Sequence, residues 1–491
     1  MTPPFTSPSI LVARFLRSNN YSQTLSAFIS EAGLPEDAGL GVSKEEGGES
    51  GLWTIERVLE EKRAFDITLK SERLEEVEED GWSAPAPSQS TAVEIQNPSN
   101  ILSVSVQQYA RNVDRNEEPL TAPYSIIATA ADRRLSIMDT MPGYPVVESY
   151  AGLVDSPILS CVCFQHGDYM AMTTMSGKLV LLRGSEILNV RHDHKKYAVQ
   201  VVVHEEHNGA RTFLATAGWD AKIFIYCLAL TDETSSTLSI CEPIATISLT
   251  TNPECILFMR NRETADLILL VSRCDSTNLY YYLVERSIPA EPTPADAARP
   301  YECKLLGKQN LAPHSNAWVA FSPSFFALNP RDPEVLAVAT SSLPHLKLMI
   351  IRLLIPCATP LQADATQSVA DRQNTETQAT QALAALAIQN REDAAILVQA
   401  NTMAPQTAYS TPQVVWRPDG SGVWVNGDDG EIRGIEAKTG KVVTRLRNGH
   451  EPGSKVRTLW AGWLKVGNQV EEWVLSGGFD KKLVVWKACK E

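Results

Sequence analysis

The sequence predicts a mainly β protein, a closed ring of seven antiparallel sheets preceded by a small α-helical hairpin. Three observations carry that prediction. From about residue 92 onward the chain is a succession of short β-rich runs punctuated by turns. Within it one phrase recurs in register: an aliphatic run, a turn aspartate, and a return run ending in an aromatic. Residues 9–34, by contrast, space their apolar side chains for helices and carry the helix breakers Asn19, Asn20 and Gly33.

Composition narrows the classes of function. The 491 residues are 44% hydrophobic and 21% charged, enough for a large core. A formal net charge of −14 excludes a whole-protein basic footprint for nucleic acid and a polybasic membrane anchor. No apolar run approaches the roughly 18 residues of a membrane helix; the greasiest stretch, residues 346–355, is broken by Lys347 and Arg352. The opening residues lack the charged and apolar regions of a signal peptide. The nine cysteines are scattered without a C-x-x-C pair, which points to reduced thiols in an intracellular protein, nuclear or cytoplasmic. Neither a disulfide framework nor a zinc site is expected.

Residues 8–36 read as a helical hairpin. Ser9 is placed to cap a first helix carrying Val12, Phe15 and Leu16, and Asn20 suits a left-handed turn. Ser22 is placed to cap a second helix carrying Leu25, Phe28 and Ile29, which Gly33 ends. Two short helices bury little area, so the apolar face needs a partner, most economically its own copy. The run Val12 to Leu16, followed by Asn20, Tyr21, Thr24, Phe28, Glu31 and Leu34, resembles the LisH motif, a dimerisation hairpin. Asn20 stands where that family usually has glycine. The resemblance implies a homodimer formed through Val12, Phe15, Leu16, Tyr21, Leu25 and Phe28.

Residues 37–91 follow as an acidic segment and linker. Residues 41–80 hold 13 acidic against 6 basic side chains, and Ile55, Val58, Leu59, Phe65 and Leu69 predict a solvated helix over about 54–79. Residues 81–91 read as a proline-rich linker.

The recurring phrase is clearest at residues 214–226 and 474–486. In both, a hydroxyl stands four residues before an aspartate and an aromatic six after it: Thr216/Asp220/Tyr226 and Ser476/Asp480/Trp486. A histidine lies upstream of each, His194 and His450. Strand, tight turn and return strand bring the four side chains together, so each set is expected to form a buried hydrogen-bonded chain that fixes one sheet to its neighbour. This resembles the WD40 repeat and its structural tetrad. Weaker copies carry Asp132, Ser176, Asp275 and Asp428-Asp429 at the turn, and one, residues 336–351, carries no aspartate. The reading is a seven-bladed WD40-type β-propeller over residues 92–491, with blades beginning near 101, 157, 194, 253, 316, 409 and 450. A strand at 92–96 would complete the last blade and remove its exposed edge. The largest insertion, about 356–393, is rich in Ala, Gln and Thr and predicts disorder with one helix over 377–388.

No catalytic constellation stands out. There is no G-x-S-x-G, no P-loop and no H-E-x-x-H. His192 and His194 face one way if their segment is a strand and would then suit a metal, but no third ligand is visible; His194 as a tetrad member needs fewer assumptions. Asp220 and Asp480 resemble general bases only until their fixed hydroxyl and aromatic neighbours are counted. His204 and His207 read as solvated surface. No catalytic, cofactor-binding or metal-binding residue is therefore assigned.

Recognition by surface remains. Trp219 and Phe479 precede the turn aspartates, while Arg133, Arg134, Lys222 and Lys481 follow them. Aromatic and cationic side chains on one rim are the usual composition of a binding hot spot, here for protein partners with acidic segments rather than membrane or nucleic acid. LisH plus WD40 is similar to the architecture of the lissencephaly dynein regulator, transducin-β-like corepressor subunits, a splicing factor and ubiquitin-ligase subunits. It implies a non-enzymatic dimeric scaffold that assembles a multiprotein complex. A ubiquitin-ligase receptor is the alternative, weakened by Lys487-Ala488 and Cys227-Leu228 where a W-D-x-R tail is sought. A propeller enzyme with a central-channel site is a further one, disfavoured by apolar inner strands such as residues 104–106 and 161–163.

Overall fold

The computed structural model describes residues 8–40, 55, 82, 85–95, 97–110, 122–206, 211–230, 238–284, 301–313, 321–356, 378–467 and 469–488. The expected helix over 54–79, apart from Ile55, and residues 357–377 of the insertion lie outside them. The chain forms two compact units, residues 1–80 and 81–491.

In the first unit, helices α1 (Pro8–Ser18) and α2 (Ser22–Ala32) pack on each other. Asn20 turns the chain with φ 59°, the left-handed conformation that asparagine tolerates, and Gly33 closes α2 with φ 62°, its N–H donating to Ile29 O. Two capping expectations are corrected. α1 already begins at Pro8, whose missing N–H is harmless at a first helical position. Ser22 is itself the first residue of α2; Tyr21, whose side chain is no cap for first-turn N–H groups, precedes it, and its N–H donates back to Leu16 O (2.9 Å) across the tight turn. Ala13, Leu16, Leu25 and Ala38 form the interior, with Val12, Phe15, Phe28, Ile29 and Leu34 partly covered around it. Arg17 clasps the following turn by donating to Glu36 O (2.8 Å) and Ala38 O (3.2 Å).

The second unit is a seven-bladed β-propeller. Five blades are four-stranded antiparallel meanders paired in chain order. Blade 3 extends its meander, Leu238–Ile240 branching off the third strand and Tyr301–Glu302 adding parallel to Ala245–Ser248, and blade 7 takes its outer strand from the start of the ring. The first strands are Ile101–Gln108, Ile158–Phe164, Ala198–Glu205, Pro253–Arg260, Pro323–Leu328, Val414–Trp416 and Val456–Val466. The repeated phrase is the hairpin of second and third strands, and its end residues are direct cross-strand partners: Leu214 with Tyr226, Val474 with Trp486, Ile126 with Met138. These hairpins are buried on both faces, as strand Thr212–Gly218 is throughout. The reason is that every blade is sandwiched. Among the described residues of the propeller seven apolar clusters occur, each between consecutive blades, such as Ile127, Leu135 and Ile137 of blade 1 against Met170, Met172 and Leu182 of blade 2.

First strands of neighbouring blades do not pair in one sheet, so some of their backbone groups are satisfied by side chains instead. Gln200 donates to Ile256 O (3.1 Å) and accepts from Ile256 N (2.8 Å). Thr129 donates to Ile158 O (3.1 Å), and Asn426 to Val456 O (2.7 Å).

Strand Gln89–Val93 completes blade 7, pairing antiparallel with Leu483–Lys487. It begins three residues before the expected 92–96, because Val93 enters the core between blades 7 and 1 beside Trp473 and Leu483. The segment read as a linker is also seated. Trp82 packs between blades 6 and 7 against Trp424, with ring centroids 5.6 Å apart, and under the Arg417 guanidinium at 4.6 Å. Arg417 donates to Pro85 O (3.2 Å) and pairs with buried Glu472 of blade 7 (2.6 Å). Gly422 and Gly434 leave room for the indole: a Cβ would lie 2.2 Å from Trp82 Cη2 at the first and 2.7 Å from Cζ2 at the second.

The helix in the insertion is longer than expected. α3 (Gln378–Ala394) runs past residue 388 because its last turns are tied to the end of blade 4, Gln389 donating to Pro313 O (2.6 Å) and Glu392 accepting from Asn310 N (2.8 Å). No described helix is long and apolar enough to cross a membrane. Cys161 and Cys255 are free buried thiols, and burial pushes both up to about 12.

Trp82→Ala is expected to lower the unfolding free energy by about 3 kcal/mol through the cavity it leaves. Urea titration of the full chain checks this, and an unchanged midpoint would mean that the indole does not fill the seam.

Candidate functional site

The meander places the turn between second and third strands at the same end of each blade as the loop that enters its first strand. Turn aspartate and incoming histidine therefore meet. In blade 7, His450 Nδ1 lies 3.0 Å from Asp480 Oδ2, His450 Nε2 lies 2.8 Å from Ser476 Oγ, and the Trp486 indole donates to Ser476 Oγ at 2.9 Å. The proton order follows from donor chemistry. Indole N–H can only donate, so Ser476 accepts from it and gives its own proton to Nε2, which leaves Nδ1–H for the carboxylate. Asp480 also accepts from the N–H groups of Glu451 (3.0 Å) and Lys482 (3.2 Å). Burial pushes the Asp480 carboxyl up, but His450 and these backbone donors outweigh it and hold the carboxyl below its ordinary range.

Blade 3 repeats the arrangement with one change. His194 Nδ1 lies 3.0 Å from Asp220 Oδ1 and Nε2 2.9 Å from Thr216 Oγ1. Tyr226, expected to complete the set, interacts with Thr216 as expected and in addition donates its hydroxyl to Asp193 Oδ2 (3.0 Å). A phenol oxygen extends beyond the reach of an indole N–H, and Asp193 is anchored there by Arg191 (2.8 Å), itself held by Glu242 (2.7 Å). The Asp220 carboxyl is likewise raised by burial and lowered more by His194 and Lys195 N, ending below its ordinary range. His192 is exposed while His194 is buried, so the two imidazoles do not face one way. Among the described residues no group of three metal-ligating side chains occurs.

Other blades use substitutes. In blade 2, Asp155 comes from the incoming loop and accepts from Ser176 at the turn (2.8 Å), which reverses the positions of carboxylate and partner. In blade 5, Thr340 and Ser342 bond each other at 2.8 Å.

The turns display the side chains proposed for recognition. Arg133 (φ 68°) and Lys481 (φ 65°) are left-handed and exposed directly after Asp132 and Asp480, a conformation that costs roughly 1 kcal/mol and persists because the aspartate binds the following backbone. Trp219 and Phe479 occupy equivalent positions, their N–H groups donating to Tyr197 O and Lys455 O, both at 2.9 Å. They are 46% and 39% exposed. Trp219 is partly covered by Tyr197, with centroids 5.2 Å apart, and Phe479 is flanked by the Arg457 guanidinium at 5.9 Å. The six candidates are not one cluster. Arg134 is held by Asp132 (3.4 Å) and Ser149 (3.1 Å), and Lys222 lies over the Phe224 ring at 6.0 Å, so both are engaged within their own blades. In the hairpin, Leu16 and Leu25 are interior, which leaves Val12, Phe15, Phe28 and exposed Tyr21 as the outward part of the expected dimer set. Sequence reasoning missed Tyr197 and Arg457. Each lies within one residue of the start of a first strand, a position that the aspartate spacing does not index.

The fold thus defines a seven-bladed, WD40-like propeller carrying a LisH-type hairpin. Residues 9–35 match the family model described as UCP007778, LisH domain, and residues 323–487, which span blades 5 to 7, match the one described as UCP007778, beta-propeller domain. No match to the chain was found among curated proteins.

Asp480→Ala is expected to destabilise the ring by about 1–3 kcal/mol, because it strands buried donors; an unshifted melting temperature would contradict the assigned register. Acid adds a sign. Since the folded carboxyl titrates below its ordinary 3.8, its stabilisation is complete above that pH and is lost as pH falls through the lower folded value. The stability gap between wild type and Asp480→Asn should therefore narrow below pH 3.8 in pH-dependent melting.

Proposed function

We propose that the chain is a dimeric scaffold that does no chemistry of its own, its hairpin joining two copies and each propeller rim engaging a protein partner. The observation that carries this reading is the incomplete cover of the hairpin. Its interior of Ala13, Leu16, Leu25 and Ala38 leaves Val12, Phe15 and Phe28 only partly buried, and Tyr21 is 52% exposed. An apolar face of that kind on so small a unit is stabilised by a matching face, and a twofold pairing supplies one from an identical chain.

The propeller side of the reading is supported by the use of its polar groups. The two histidine–aspartate pairs are buried and locked to hydroxyls and backbone, the condition of staples rather than of reagents that must meet substrate. What the rim offers to solvent is Trp219, Tyr197, Phe479, Arg133 and Lys481. Aromatic anchors beside cations suit protein segments with acidic side chains. Two such rims on one dimer make a second engagement intramolecular, so modest individual contacts yield avidity.

Phe28→Asp is expected to halve the mass of the full-length protein in light scattering while leaving the melting of the propeller unchanged. A wild-type protein that is already monomeric, or a variant of undiminished mass, would discard the dimer.

A further inference from the structure

The first strands open with a shared irregularity. In six blades the pairing register skips one residue next to the strand's first: Leu102, Leu159, Val199, Glu254, Ser324 and Arg457. Blades 1 to 3 thus place apolar residues at this tier, whereas blades 4, 5 and 7 place polar ones, and Arg457 is the single cation among the six. It is also the least satisfied. Nη1 donates to Thr411 Oγ1 at 3.1 Å, while Nε is buried with no partner among the described residues, and none of the carboxylates described pairs with it. Burial alone moves its titration, downward, with no counter-charge acting against it. The neighbouring Lys455 is neutralised by Asp428 at 2.9 Å. Phe479 walls the other side, 39% exposed.

Removing a guanidinium from water without a counter-ion is unfavourable, and a partner that supplies the anion recovers both Coulomb energy and a charge-assisted hydrogen bond. We propose that Arg457 and Phe479 form a subsite on the rim that receives one side-chain carboxylate, Asp or Glu, of an extended partner segment, with an apolar neighbour of that residue resting on the Phe479 ring. The occupant is a carboxylate because the one guanidinium covered without a described counter-charge matches a single negative charge; a phosphate near −2 would have to draw on exposed Lys481 as well. Glu254 at the matching position of blade 4, its carboxyl pushed up by burial and accepting from the Cys274 thiol, disfavours an acid there, so the two positions are not equivalent subsites.

This deepens the scaffold reading and rests on it. The test pans a random dodecapeptide phage library on immobilised full-length protein and on Arg457→Gln, Arg457→Lys and Trp219→Ala, after melting curves show all four folded. Peptides selected on wild type should be enriched in Asp or Glu beside an apolar residue. Arg457→Gln should lower their affinity about tenfold or more, with part of it retained in Arg457→Lys, as for a charge-assisted contact. Selected peptides without acidic enrichment, or equal binding to Arg457→Gln, overturn the subsite. If those peptides nonetheless lose binding to Trp219→Ala, the rim remains an interaction surface and only the carboxylate subsite falls; recovery of no peptide above background overturns both.

Discussion

A ring of sheets stands or falls on the strand that closes it. Consecutive blades touch through side chains, so a propeller cut at any seam exposes two apolar sheet faces, and one lacking its closing strand exposes a sheet edge. Here one five-residue strand, Gln89–Val93, supplies the outer strand of blade 7 from the beginning of the ring and joins its ends within a single sheet. The seam on the other side of blade 7, against blade 6, is reinforced from further upstream. Trp82 fills the space that Gly422 and Gly434 leave, Arg417 covers its face, and the Arg417–Glu472 pair ties blade 6 to blade 7 inside the core. A buried ion pair adds little net stability over apolar packing, but losing one partner leaves an uncompensated charge, so this one enforces a particular seating.

The tetrads solve a second problem of the architecture, how a loop leaving one blade is held against the turn of the next. The solution in both blades 3 and 7 is a histidine bridging the turn carboxylate and a strand hydroxyl; in blade 7 a donor-only indole ends the chain, and in blade 3 a phenol beside it bonds a second carboxylate, Asp193. Where the sequence departs from that set the task persists. Blade 2 swaps the carboxylate to the loop, and blade 5 settles for two hydroxyls. The blade 7 turn so fixed holds Lys481 in the left-handed region, as Asp132, bonded to Arg134 N, does for Arg133, and order of that kind lowers the entropy lost when a partner binds.

How much was legible can be judged residue by residue. Thr216, Asp220, Ser476 and Asp480 were readable because hairpin geometry is local: a period of two and a tight turn convert fixed spacing into contact. His194 and His450 were readable with less precision, since loop length varies while the partner does not. The Trp82 seat was not readable, because the glycines that accommodate it stand more than three hundred residues later and no local pattern links them. Nor was Arg457 as a half-buried cation, since its surroundings come from Thr411 and Phe479 on separate loops. The closing strand was expected three residues late, the offset between an alternation that admits either Val93 or Ile95 and a core that takes Val93 deepest.

By itself the sequence determined the repeat, the number of blades, the helical nature of residues 9–34 and the chemical identity of the two staples, all products of short-range spacing and of turn residues with restricted conformations. Tertiary structure alone decided which apolar side chains of the hairpin face inward, which carboxylate Tyr226 meets, and which cation is covered without a carboxylate among the described residues. The physical reason is shared by all three: burial and charge pairing depend on what the far ends of the chain bring to the same place, and the ring brings together residues that no spacing rule connects.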